Sequence, residues 1–135
     1  MHANNTNNKN DKLIYPELSY KLTGICFEIH NELGRFARER QYCDLLEDKF
    51  KLNKINYNRE IETNSSGNRL DFLIEDKLVL EIKAKQAITK ADYFQTQRYL
   101  QQTEKRLGLL INFRSRYLKP VRVIKIDTDN RQKFQ

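Results

Sequence analysis

Apolar positions along the chain change period about a third of the way in. Leu18, Leu22, Ile25, Ile29 and Leu33 recur at spacings of four and three, which places them on one face of a helix that starts at Pro16 and stops at Gly34. A second helix is predicted from Arg38 or Glu39, burying Tyr42, Leu45, Leu46 and Phe50, with 35–37 as the connection. Beyond Lys54 the period falls to two. INYNREIE predicts a strand, NSSGN a turn, and LDFLI a second strand; Glu75, Asp76 and Lys77 interrupt the apolar run before LVLEIKA resumes it as a third. Thr89 and Asp92 form a capping box ahead of a helix over ADYFQTQRYLQQ. LGLLINF at 107–113 has the length of a buried strand, and VRVIKI at 121–126 alternates as a last one.

The order is helix, helix, three strands, helix, two strands. Since each apolar strand face must be covered, this predicts an α/β protein with helices packed on one sheet. The chain has 135 residues, enough for one domain with a sizeable core. Residues 1–12 carry five asparagines and no apolar cluster, and read as a disordered lead-in; the single domain spans 13–128, and 129–135 is a polar tail.

Within the hairpin, polar side chains interrupt the apolar pattern. A turn centred on Asp76 sets Asp71 opposite Glu81, and the alternation of strand side chains adds Lys83 to their face, leaving Leu70, Phe72, Ile74, Leu80 and Ile82 for the other. Two carboxylates at strand spacing repel unless a cation or a donor lies between them. Mg²⁺ or Mn²⁺ suits oxygen ligands, and the Ile82 carbonyl could join them. Lys83 would orient water or stabilise charge on phosphorus. The plain alternative is a solvated Asp71–Lys83 ion pair of little energetic weight.

Charge widens the picture without deciding it. Twenty-five lysines and arginines against 18 acids leave +7, which favours an anionic partner without requiring one. The basic residues after the hairpin include Lys85, Lys90, Arg98, Lys105, Arg106, Arg114, Arg116, Lys119 and Arg122. Of these Lys85, Lys90, Arg98, Arg114, Arg116 and Lys119 are the candidates for phosphate contacts, and Tyr117 in RSRYLKP for stacking on a base. Cys26 and Cys43 lie in helical apolar patterns and read as buried free thiols; His2 and His30 show no zinc or serine-triad pattern. No long apolar stretch suggests a signal peptide or a membrane span, so the expected location is cytoplasmic.

HNELGRFARERQY at 30–42, RLDFLIEDKLVLEIKA at 69–84, FQTQRYL at 94–100 and GLLINF at 108–113, in this order, resemble the PD-(D/E)XK nuclease superfamily and, more narrowly, its small bacterial GxxExxY proteins. The resemblance runs from about Tyr15 to Ile126. It implies a restriction-endonuclease-like mixed central sheet flanked by helices, in the order ααβββαββ. It further implies Glu39, Asp71 and Glu81 as ligands of Mg²⁺ or Mn²⁺, and Lys83 as the catalytic lysine. Gln95 and Tyr99 match a pair four apart in the helix that follows, Gln95 with a supporting task at the site. The chain departs from the family at its naming glycine, three before the glutamate, where Phe36 stands. Glu39 also has a plain reading as a first-turn acid that favours the helix dipole.

These features predict a divalent-metal-dependent phosphodiesterase that hydrolyses nucleic acid, DNA preferred, by water attack on phosphorus. A homodimer would suit cutting two strands, with no interface assigned. Two alternatives stay open: a nucleic-acid-binding module of the same fold with weak or lost turnover, and a small protein-interaction subunit.

Overall fold

A computed structural model describes residues 14–62 and 69–127. The expected lead-in, the NSSGN turn and the polar tail lie outside the described residues. Helix α1 spans Pro16–Leu33 and α2 spans Glu39–Leu52. Strands β1 (Tyr57–Glu62), β2 (Arg69–Ile74) and β3 (Leu78–Lys83) follow, then α3 (Lys90–Thr103), β4 (Leu107–Asn112) and β5 (Val121–Ile124). The order ααβββαββ is the expected one. The last strand is two residues shorter than its alternation suggested.

The five strands lie in the order β1-β2-β3-β4-β5. β3 and β4 are parallel, joined through α3, and the other neighbours are antiparallel, so the sheet is mixed. Both faces are covered. Leu22, Ile25 and Ile29 of α1 and Tyr42, Leu46 and Phe50 of α2 pack on Phe72, Ile74, Leu78, Leu80, Ile82, Leu109 and Ile111. On the opposite face Tyr99 and Leu100 of α3 meet Leu70, Leu73, Val79, Leu110 and Val123. β3 and β4 are therefore apolar on both sides, as central strands between helices must be.

Local chemistry fixes the joints. Gly34 has φ 72 and closes α1 by donating its N–H to the His30 carbonyl at 2.9 Å, a conformation that favours glycine. At Gly108 a Cβ would lie 2.9 Å from Thr96 Cγ2, so glycine lets α3 approach β4 closely. The capping box of α3 is formed: the Thr89 N–H donates to Asp92 Oδ2 at 2.8 Å, and the Asp92 N–H to Thr89 Oγ1 at 3.4 Å. Both cysteines are free and buried, and burial pushes the Cys26 thiol up to about 12. Leu33 and Leu45 fall at the edge of the apolar faces assigned to them: Leu33 is exposed at the end of α1 and Leu45 is partly covered.

One expectation is corrected. Leu70 does not share a face with Phe72 and Ile74 but packs under α3. Pairing of β1 with β2 skips Glu60 and Asp71, and Glu60 has φ 56, a left-handed residue inside a strand. The register is the same on either side, yet both strands change face there: Tyr57 and Phe72 pack under α1 and α2, Ile61 and Leu70 under α3. The change falls at Asp71, the residue on which the hairpin chemistry depends.

Candidate active site

The turn between β2 and β3 is as expected. Phe72 pairs with Leu80, Leu73 with Val79 and Ile74 with Leu78, and the Lys77 N–H closes on the Ile74 carbonyl at 2.9 Å. Glu75 and Asp76 both have positive φ, the twist that suits a tight hairpin. Continued by one step, this register brings Asp71 level with Glu81, but there the side chains take over the ladder. The Asp71 N–H donates to Glu81 Oε1 at 2.8 Å, and the Ile82 N–H donates to Asp71 Oδ2 at 2.7 Å. Each strand's carboxylate thus accepts from the other strand's backbone. The second oxygens, Asp71 Oδ1 and Glu81 Oε2, accept no hydrogen bond among the described residues.

Burial makes this clasp costly for charge. Glu81 is 2% exposed, and desolvation followed by repulsion from Asp71 pushes its carboxyl up to about 8. Desolvation raises Asp71 to about 6, with Glu39 adding to it and the Ile82 N–H, Lys83 and Arg59 opposing it. The two carboxyls titrate as a pair. Glu39, the first residue of α2, is raised by desolvation against the attraction of Lys83 and Lys85. The three acids thus share one electrostatic neighbourhood with Lys83.

A cleft of ≈ 460 Å³ opens beside them, lined by Glu39, Arg40, Cys43, Arg59, Glu60 and Asp71. Tyr42 sets the entry of Glu39: its hydroxyl donates to the Gly34 carbonyl at 2.6 Å and accepts from the Ala37 N–H at 3.2 Å, and its ring stacks on Phe113 at 4.2 Å. The loop before α2 is pinned from below, and Gln41 Oε1 accepts from the Arg38 N–H at 2.8 Å. Among the described residues no three histidine, cysteine, aspartate or glutamate side chains are gathered as a metal-binding cluster. Glu39, Asp71 and Glu81 influence one another electrostatically without being gathered as one cluster. Their donor chemistry, all oxygen, is of the kind that suits Mg²⁺ or Mn²⁺.

Lys83 makes no ion pair with Asp71. Its ammonium donates to Gln95 Oε1 at 3.1 Å and lies 3.9 Å from Asp92 Oδ1. Asp92 also pairs with Lys85 and caps α3. Burial works against its ionised form, and the bonds from Lys85 and Thr89 outweigh that and hold the carboxyl below its ordinary range. Sequence reasoning found Asp92 only as a cap; its place one turn into α3, just after the end of β3, is the signal that it would meet Lys83 and Lys85. Asn112 was missed altogether. Its side chain accepts from the Lys85 N–H at 3.1 Å and donates to the Lys85 carbonyl at 2.8 Å, fixing the backbone after Lys83 from the end of the neighbouring strand. Tyr99 donates to the Arg69 carbonyl at 3.0 Å, and desolvation, with Glu81 and Asp71 nearby, pushes its hydroxyl up to about 12.

The basic candidates divide. Arg114 is close to the site, its Nη2 donating to the Ala84 carbonyl at 3.5 Å, while Arg116, Tyr117 and Lys119 lie exposed on the same loop between β4 and β5. Lys90 and Arg98 are exposed on α3 and make no hydrogen bond or ion pair to the acids among the described residues. Lys105 and Arg122 serve the fold instead: Lys105 pairs with Asp76 at 3.3 Å, and Arg122 donates to Ser19 Oγ at 2.9 Å and the Ile14 carbonyl at 3.0 Å. His30 bonds the Ser115 carbonyl at 2.8 Å and has no part in the acid cluster.

A mixed sheet between helices, with an acid pair and a lysine where one hairpin opens, defines an α/β protein with a candidate acidic centre. A family profile of the PD-(D/E)XK nuclease superfamily matches residues 16–124, and the chain belongs to that superfamily. No curated protein and no solved structure matches it. Members of the superfamily generally use divalent metals and act on nucleic acid. No helix among the described residues is long and apolar enough to cross a membrane.

Proposed function

We propose that the protein is a divalent-metal-dependent phosphodiesterase that hydrolyses nucleic acid, preferably DNA, by attack of water on phosphorus. The observation that carries this is the buried Asp71–Glu81 clasp, whose raised carboxyls lie in the field of Lys83 and Glu39. Perturbed acids beside a cleft in a nuclease-family chain support this reading. Glu39, Asp71, Glu81 and the Ile82 carbonyl would hold Mg²⁺ or Mn²⁺. When bound, such an ion supplies Lewis-acid polarisation of the phosphate and an acidified water. The protein's own share is positional. Asp71 Oδ1 and Glu81 Oε2 are the oxygens left to face a ligand, Lys83 presents a positive charge to the phosphate oxygens, and Gln95 holds that ammonium in place. Arg114, Arg116, Lys119 and Lys85 would grip the backbone without reading sequence. One such centre cuts one strand per encounter, so a double-strand cut calls for a second copy of the chain.

The test compares wild type with Lys83→Ala and Glu81→Ala for Mg²⁺- or Mn²⁺-dependent cleavage of labelled single- and double-stranded DNA and RNA. Cutting that both substitutions abolish while the fold is retained supports the enzyme; equal background from all three proteins rejects it. A second reading, a binding module of the same fold without turnover, is favoured by Phe36 at the family's glycine position and by the backbone bonds that occupy one oxygen of each strand acid. It predicts salt-sensitive binding with no cleavage by wild type.

A further inference from the structure

Phe36 is 74% exposed, in the loop three residues before Glu39. Two guanidiniums lie against its ring, Arg35 at 4.9 Å and Arg114 at 5.6 Å from the centroid. These arginines hold each other's backbone: Arg35 Nε donates to the Arg114 carbonyl at 2.9 Å, and Arg114 Nε to the Arg35 carbonyl at 3.1 Å. The loop that carries Phe36 is further tied by Tyr42 to Gly34 and Ala37, and the loop that carries Arg114 by Asn112 and His30. An apolar ring held out in solvent by this many bonds is a rigid projection, so little ordering would be lost on contact.

Its position relates it to the acid centre on two sides. It precedes Glu39 by three residues, and its neighbour Arg114 reaches the carbonyl of Ala84, the residue after Lys83. A second aromatic with a cation, Tyr117 with Arg116 at 5.5 Å, projects from the same Arg114 loop and is 69% exposed. Bases inside a duplex are stacked on one another and offer only their edges, whereas an unpaired base offers a whole face to a protruding ring. Guanidiniums beside such a ring supply positive charge, and their N–H groups not bonded to backbone can reach a phosphate oxygen.

We infer that Phe36, flanked by Arg35 and Arg114, is a stacking platform for an unpaired base, which makes single-stranded or frayed nucleic acid the substrate class of the neighbouring centre. This rests on the nucleic-acid reading above. The residue that replaces the family's glycine then adds a contact where glycine offers none.

The test is binding of a fluorescent single-stranded oligonucleotide and of its matching duplex, in chelator so that nothing is cut, by wild type, Phe36→Ala and Phe36→Trp. Phe36 is exposed, so both variants should melt with the wild type. Phe36→Ala is expected to weaken single-strand binding about tenfold and to leave duplex binding within about twofold, with Phe36→Trp restoring the single-strand affinity. An unchanged single-strand affinity, or an equal loss on both forms, overturns the platform while leaving the nuclease reading in place. A wild type that binds neither form overturns both.

Discussion

The two ends of the β2–β3 hairpin use the same pair of strands and are held by different chemistry. At the closed end Phe72, Leu73 and Ile74 pair with Leu80, Val79 and Leu78, and all six side chains are buried. At the open end the backbone partners are exchanged for carboxylates, each accepting from the opposite strand. Regular pairing at the closed end satisfies every group and leaves nothing to react. Side chains that stand in for the ladder leave two acid oxygens over, in a place too dry to welcome their charge. Stability and chemistry are therefore separated along about five residues of one hairpin, and substitutions at the two ends should fail in different ways.

The largest effect belongs to the closed end. Leu80 is fully buried between the helices and its strand neighbours, so Leu80→Ala should cost about 2–5 kcal/mol, read by denaturant unfolding. Any loss of cleavage should be recovered under conditions that restore folding. Lys83→Ala at the open end should do the opposite, reducing cleavage by about 10²–10³ while the unfolding midpoint stays near that of wild type. If Lys83→Ala unfolds the protein as Leu80→Ala does, the division of labour is wrong.

A pH titration sharpens the same contrast. Glu81 has an ordinary value of 4.5 and is pushed up to about 8 in the folded chain. Between those values the unfolded state releases the proton while the folded state keeps it, so metal-free stability should fall as pH rises from 4.5 to 8. Asp71 adds a smaller effect of the same sign up to about 6. Glu81→Gln keeps an acceptor for the Asp71 N–H and removes the charge, and should stabilise the metal-free protein at pH 8 by about 1–3 kcal/mol while flattening the slope. Thermal melts across that range check it; an unaltered slope in the variant would show that burial at Glu81 is not its source.

The closed end was legible in the sequence and the open end only in outline. The apolar runs Phe72–Ile74 and Leu78–Leu80 mark two strands joined at Glu75-Asp76-Lys77, and the pairing centred on Asp76 is the one adopted. Gly34 and the Thr89–Asp92 box announced helix ends through residue types suited to caps. Glutamate carries no such signal, so the left-handed Glu60 and the change of face at Asp71 were invisible, and Leu70 was assigned to the wrong side. The charges themselves were found because they interrupt an apolar run. What they bond to was not, since Asp92 and Asn112 act through neighbours 7 to 27 residues away that only the folded sheet brings together. Phe36 stood out as a departure from a family glycine, but its two arginines come from loops 79 residues apart.

The smallest effect tests whether the open end extends into α3. Gln95 accepts from the Lys83 ammonium, while Asp92, at 3.9 Å, supplies charge without a close bond. Gln95→Ala would leave the ammonium attracted toward Asp92 and free to swing, since no other group among the described residues holds it at hydrogen-bond distance. Loss of a residue that merely positions Lys83 should then lower kcat by about tenfold and leave KM unchanged, since the proposed substrate grip belongs to the basic residues of the other loop. Gln95→Glu keeps an oxygen acceptor at the same reach and should hold the ammonium in register, so geometry alone would be restored. If KM rises in Gln95→Ala with kcat intact, Gln95 binds substrate directly, and the reactive end of the hairpin stops at Lys83 without the support of the helix.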